Sequence, residues 1–200
     1  KLEEYKINTL SERRYGGTLS WLAADGKDNE QTDGVGASEA IKMIENFANN
    51  GHQFFLAVGF FRPHTPFVAP KKYFDLYYWE EMVIQKSSND YLKTIPIPAA
   101  KTIRAKYNQL DLDVDLAKEI KEAYYSTVSF VDAQVGRVLQ KLKETGLDKN
   151  TIVVFTSDHG YHLGEHGHWQ KLTLFENATR IPLIIYAPNM SGGQFVKSPV

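Results

Sequence analysis

The chain has 200 residues, 42% hydrophobic, 12% aromatic and 24% charged, which is enough to bury a core and argues against disorder. Lysine plus arginine (23) nearly balances aspartate plus glutamate (24), and a formal charge of −1 gives no global pull toward nucleic acid or an anionic membrane. The longest apolar runs, such as 54–61, fall far short of the roughly 20 residues of a membrane-spanning helix. The absence of cysteine excludes a disulfide framework, a thiolate zinc site and a cysteine nucleophile within this chain.

The N-terminus, KLEEYKINTL, is charged and mixed, unlike a signal peptide, and lacks an initiator Met, which fits mature processing or a piece of a longer protein. Residues 1–35 are polar and glycine-rich (Gly16, Gly17, Gly26, Gly34) and read as loop with room for one short helix. From Ser38, a candidate N-cap, Ile41, Ile44, Phe47 and Ala48 recur at helical spacing, and Asn49-Asn50-Gly51 closes that helix. Phe54-Phe55-Leu56-Ala57-Val58-Gly59-Phe60 then reads as a buried strand.

Residues 61–111, punctuated by Pro63, Pro66, Pro70, Pro96 and Pro98, read as an excursion with little regular structure, and a loop of that length is usually functional. The strongest periodicity follows. Leu116, Ile120, Ala123, Tyr124, Val128, Val131, Val135, Val138, Leu139 and Leu142 form one apolar stripe, and Gly146 is placed to stop the helix. Such a helix would span roughly 45 Å, enough to cross a sheet. Segments 151–156 and 182–186 are two further apolar strands. The order predicts an α/β fold with a mostly parallel sheet flanked by helices, and it fits neither a sandwich nor a helical bundle.

In open parallel sheets, ligands bind beyond the carboxyl ends of strands. Two segments leave predicted strands there: Phe61-Arg62-Pro63-His64-Thr65-Pro66-Phe67, and the run from Ser157 to Lys171. If their strands are neighbours, Asp158, His159, His64 and Lys171 converge on one pocket. Asp158-His159-Gly160 sets a carboxylate and an imidazole on a turn where both can face a metal ion; the other reading is a capping Asp beside a satisfied loop histidine. Histidines 159, 162, 166 and 168 do not form the helical His-x-x-x-His pair with its glutamate in the His-Glu-x-x-His order of a zinc site, so His162, His166 and His168 are taken as loop or surface residues. His64, fenced by Pro63 and Pro66, suits proton transfer to a leaving group, or else bonds to backbone. Lys171 stands out only by its closeness to Asp158 and His159, and Arg62 and Arg180 either help hold an anion or are structural.

RPHTPF at 62–67, SDHGYHLGEHGHWQK at 157–171 and RIPLIIYAP at 180–188 together resemble the type I sulfatases of the alkaline phosphatase superfamily, most of all iduronate-2-sulfatase and its bacterial relatives. The resemblance covers residues 36–190 and takes in FFLAVGFFRPHTPF and YYSTVSFVDAQVGRVLQKL; SDHG alone would also fit the superfamily's phosphodiesterases. It implies an alkaline-phosphatase-like domain, incomplete at both ends. Residues 1–200 would be its central part, with 1–35 a lead-in, 36–190 the α/β core and 61–111 an excursion.

The same resemblance implies a sulfuric ester hydrolase with one calcium ion and a formylglycine made from Cys or Ser in a C/S-x-P-x-R motif. By motif, Asp158 and His159 would be metal ligands. His64 would contact the sulfate and protonate the leaving alkoxide, and Lys171 would bind a sulfate oxygen. The residues alone point elsewhere on the ion, since a histidine ligand suggests zinc or manganese, whereas calcium favours oxygen. No Ser-x-Pro-x-Arg occurs in the chain, so the nucleophile is expected outside it and the 200 residues alone are expected to be inactive, with exposed apolar surface. Sulfated sugars are the expected substrates, with Tyr73, Phe74, Tyr77, Tyr78 and Trp79 either lining a sugar site or packing. The rest of the sulfatase chain is the expected partner, and the family places the protein outside the cytoplasm (periplasmic, secreted or lysosomal). The competing readings are a superfamily phosphodiesterase or phosphonate hydrolase and a non-catalytic module that binds sulfated glycans. Trp169-Gln170-Lys171 favours the sulfatase, because a lysine there replaces the charge of a second metal.

Overall fold

A computed structural model of the chain describes residues 19–105, 109–110 and 112–197; the Gly16-Gly17 lead-in and the Ser198-Pro199-Val200 end lie outside the described residues. Strand β1 (Trp21–Ala24) forms within the segment expected to be loop, and pairs in parallel with β2 (Phe67–Pro70), register Trp21 to Phe67. Between them runs helix α1 (Thr32–Asn50), closed by Gly51 in the left-handed conformation at φ 62°. The helix begins six residues before Ser38, so Ser38 is not its N-cap. Its hydroxyl donates to the Gly34 carbonyl inside the helix (2.8 Å) and accepts from Arg137 Nη2 (2.9 Å).

The expected strand at 54–60 takes no regular structure and joins no ladder among the described residues. Phe54 stacks on Phe47 at 4.7 Å, while Phe55 is 94% exposed. An apolar run supplies strand-forming side chains, but only a partner strand satisfies its backbone groups.

The proline-rich excursion holds more regular structure than expected: β2, then the short helices α2 (Lys71–Phe74), α3 (Tyr91–Thr94) and α4 (Ile97–Arg104). The long helix α5 (Val114–Glu144) starts at Asp113, whose carboxylate accepts the N–H groups of Asp115 and Leu116. It ends before Gly146, which takes φ 73°, as the sequence predicts.

The buried face of α5 is turned from the predicted stripe. Ile120, Ala123 and Leu142 are buried, but so are Ser126, Thr127, Phe130 and Gln134, while Val128 and Leu139 are exposed. Polar groups occupy this face because each has a hydrogen-bond partner. Ser126 and Thr127 hydroxyls donate to the Glu122 and Tyr124 carbonyls, and Gln134 Nε2 donates to Asp28 (3.1 Å) and to the Phe130 carbonyl.

The main core gathers Leu19, Trp21, Phe67, Ala69, Tyr73, Phe74, Ile120, Phe130 and Trp169 between β1–β2 and α5. Each large side chain buried there contributes about 1.5–3 kcal/mol. Tyr73 and Phe74 belong to this core and Tyr77 donates to, or accepts from, Ser129 Oγ at 2.6 Å, so of the two readings of the aromatic run these three residues follow the packing one. Past α5, β3 (Val153–Thr156) pairs antiparallel with β4 (Leu183–Tyr186), after helix α6 (Glu176–Thr179). The α/β character stands, carried by one parallel and one antiparallel two-stranded ladder among the described residues. No helix of the described residues is long and apolar enough to cross a membrane.

Candidate active site

The loop carrying His64 is held from outside and from within. Asp33, in the first turn of α1 and 4% exposed, accepts the backbone N–H groups of Phe61 (2.8 Å) and Arg62 (2.9 Å) on its two carboxylate oxygens. Arg62 Nε donates to the Val68 carbonyl (2.9 Å) and Nη1 to the His64 carbonyl (3.0 Å). The guanidinium expected to help hold the substrate is therefore engaged as a brace across 62–68. Burial lowers its pKa, and the nearby Asp33 carboxylate opposes that shift.

His64 itself is exposed, with its ring against Phe61 at 4.8 Å. Its Nδ1–H donates to the Thr65 carbonyl (2.7 Å), which leaves Nε2 for a ligand.

The second segment leaves β3 at Thr156. Asp158 Oδ1 accepts the His159 N–H (3.0 Å), and His159 Nδ1–H donates to the Gly160 carbonyl (2.8 Å). Each side chain thus has one atom fixed by backbone, and the remaining pair, Asp158 Oδ2 and His159 Nε2, lie 3.5 Å apart. Two donors on adjacent coordination positions of an ion, each about 2.3 Å from it and at right angles, are separated by about 3.3 Å. The pair therefore fits part of a metal's ligand set, with the imidazole in the tautomer that coordination needs. Among the described residues no group of three or more His, Asp or Glu gathers for the remainder. Gly160 is required by a close approach: a Cβ there would lie 2.1 Å from the Asn177 carbonyl oxygen, and its N–H donates to the Ala178 carbonyl at 2.8 Å.

The chain from 161 to 171 then folds back on itself. His162 N–H donates to the Gln170 carbonyl (2.9 Å), Gly164 N–H to His168 (3.0 Å), and the Tyr161 hydroxyl to Trp169 (2.8 Å). That closure sets Gln170 opposite His162, one residue before Lys171. Tyr161 in turn meets Phe67 edge-on at 6.2 Å and stacks on Tyr124 of α5 at 5.4 Å. Burial raises both hydroxyl pKa values, that of Tyr124 to about 12. Phe67 closes the His64 loop and Tyr161 follows His159, so one aromatic contact docks both segments on the same core. This joint is made by side chains rather than by neighbouring parallel strands.

The other three histidines of this loop, His162, His166 and His168, are not surface groups. His162 and His168 are 0% and 2% exposed, with rings 5.1 Å apart, and His166 is stacked on Phe175 at 4.0 Å and bonded to Tyr91. His162 Nε2 pairs with Thr173 Oγ1 (2.8 Å), and burial pushes its pKa down to about 4. They pack the loop that carries Lys171. Arg180 is exposed and pairs with Glu176 at 4.0 Å, at the end of α6. Asp33 and Tyr161 are the contributors that sequence reasoning missed. An acidic residue in a helix's first turn marks Asp33, but placing the helix start at Ser38 hid it.

The sulfatase family profile matches residues 7–198. Iduronate 2-sulfatase of Mus musculus is 36% identical over 82% of this chain and 32% of its own length. A sulfatase of Formosa agariphila is 42% identical over 79% of this chain and 32% of its own. Among solved structures, the phosphonate monoester hydrolase of Silicibacter pomeroyi matches with a TM-score of 0.76 and 26% identity, over 87% of this chain and 36% of that one. The chain spans about a third of the length of the curated relatives it matches. With its matched span and its two docked motif segments, the chain belongs to the sulfatase family.

Proposed function

We propose that the full-length protein hydrolyses sulfate esters of sugars outside the cytoplasm, and that this chain supplies its metal-binding and proton-donating half. The observation that carries the reading is the Phe67–Tyr161 contact, which docks the His64 loop and the Asp158–Lys171 segment on one core. The similarity to iduronate 2-sulfatase supports a sulfated sugar as substrate.

His64 would donate the proton on Nε2 to the leaving oxygen as the S–O bond breaks, with Nδ1–H anchored on Thr65 to orient the ring and stabilise the imidazolium. Lys171 would bind a sulfate oxygen and offset developing charge. Asp158 Oδ2 and His159 Nε2 would hold one calcium ion together with ligands from elsewhere in the protein. That ion would supply positive charge beside the ester. The nucleophile would be a formylglycine outside these 200 residues, which contain neither Cys nor Ser-x-Pro-x-Arg.

Phosphonate or phosphate ester hydrolysis is the second reading, favoured by the likeness to the Silicibacter pomeroyi enzyme. The test is product release by the full-length protein from a sugar O-sulfate, 4-nitrophenyl sulfate and a phosphonate monoester. Sulfate release with little phosphonate turnover is expected. Faster phosphonate turnover would replace the sulfatase reading, and glycan binding with no product from any substrate would replace both with a binding role.

A further inference from the structure

We infer that Asp33 is the positioning residue that fixes His64 for proton donation, with the Arg62 guanidinium as its relay across the loop. The inference rests on the sulfatase reading of His64 and adds to it a residue that touches neither substrate nor metal.

Asp33 is a buried carboxylate far from His64 in sequence, and both its oxygens are committed to consecutive N–H groups at the start of the His64 loop. Charge-assisted bonds of this kind are about twice as strong as neutral ones. The position suits a negative charge, since the first turn of α1 presents the positive end of the helix dipole. Inside the loop, Arg62 ties the His64 carbonyl to the Val68 carbonyl, and the His64 N–H closes a turn onto the Phe61 carbonyl at 3.0 Å. At the exit, Phe67 N–H donates to the Ser20 carbonyl (2.8 Å).

The backbone before His64 is therefore set by Asp33, the span across it by Arg62, and the exit by β1. The side chain of His64 is itself exposed, and the groups that meet its ring, Phe61 and the Thr65 carbonyl, belong to the same loop and move with it. Without the Asp33 carboxylate the entry of the loop has two orphaned donors, and the imidazole loses its fixed distance to the leaving oxygen. A displacement of about 1 Å at a catalytic group costs up to about a hundredfold in rate.

Asp33→Asn and Arg62→Lys test this in the full-length protein, with His64→Ala as reference and Ser38→Ala as a control elsewhere on α1. Each is assayed on a sugar O-sulfate, whose alkoxide leaving group needs a proton, and on 4-nitrophenyl sulfate, whose phenolate leaves without one. Asp33→Asn is expected to lower kcat on the sugar sulfate about 10- to 100-fold, with KM changed less than about threefold and aryl sulfate turnover nearly preserved. Arg62→Lys, which keeps the charge but loses the two-carbonyl fork, is expected to show the same selectivity in weaker form. Ser38→Ala is expected to lower the melting temperature without selectivity between substrates.

Equal losses on both substrates in Asp33→Asn and Arg62→Lys, with His64→Ala still selective, would overturn the positioning role and leave the sulfatase reading intact. A His64→Ala variant without selectivity would remove the proton-donor reading instead. If Asp33→Asn fails to fold, Arg62→Lys decides by the same criterion.

Discussion

In the β1–β2 ladder Phe67 and Ala69 are both 0% exposed, whereas in the β3–β4 ladder Val154, Ile184 and Ile185 are 58%, 59% and 49% exposed. The two pairs of strands are comparably apolar, so composition does not make the difference. Helix α5 packs on β1 and β2, and among the described residues no helix packs closely on β3 or β4. Burial belongs to what covers a strand, and a two-stranded ladder without cover is marginal in water. The loops at the ends of both ladders nevertheless share a core through Phe67 and Tyr161, so the candidate site is anchored on the well-packed half.

The largest test of that contrast is a pair of truncations in the 200-residue chain. Phe130→Ala empties a site 1% exposed under Tyr73, whose ring lies 5.5 Å away, and is expected to cost about 3–5 kcal/mol in urea unfolding. Ile184→Ala, on exposed β4, is expected to cost under about 1 kcal/mol. Comparable losses at the two positions would erase the distinction.

Gly160→Ala tests the joint between the halves. The added Cβ meets backbone rather than a flexible side chain, so the turn or α6 must move, at a cost of about 1–3 kcal/mol. Calcium affinity of the full-length protein, followed by titration calorimetry, is expected to fall at least tenfold, because the Asp158–His159 pair moves with the turn. Unchanged affinity would separate the turn from the ion.

The smallest effects are in the pH dependence of stability. Burial, then Glu119, Glu80 and Asp75, push Glu122 on α5 up to about 7 from 4.5. Its contribution is thus fully present below pH 4.5 and lost as pH rises through 7. His162, lowered by burial to about 4 from 6.5, contributes above pH 6.5 and loses that contribution as pH falls toward 4. Glu122→Gln is expected to raise the melting temperature above pH 7 and not below pH 4.5. His162→Gln is expected to flatten only the acid side. Solvent screening holds the Glu122 effect under about 1 kcal/mol, whereas His162, 0% exposed, is expected to give the larger of the two.

Much of this arrangement was legible in the sequence. Helix α5, the stop at Gly146, strands β3 and β4, and a turn bearing Asp158 and His159 after a strand all follow from local pattern. What local pattern could not supply was pairing. Segment 54–60 has the side chains of a strand and no ladder, while Trp21–Ala24, in a glycine-rich stretch, is a strand because β2 lies beside it. Polar burial was hidden for the same reason: Gln134 and His162 look solvent-facing until Asp28 and Thr173 are found opposite them. Asp33 escaped notice because its partners lie 28 and 29 residues away.

The most direct test is a crystal structure of the full-length protein with calcium and sulfate bound. One ion within about 2.0–2.6 Å of both Asp158 Oδ2 and His159 Nε2 is predicted, with sulfate in hydrogen-bond reach of His64 Nε2 and Lys171 Nζ. An ion bound away from that pair, or sulfate out of reach of both His64 and Lys171, would contradict the account.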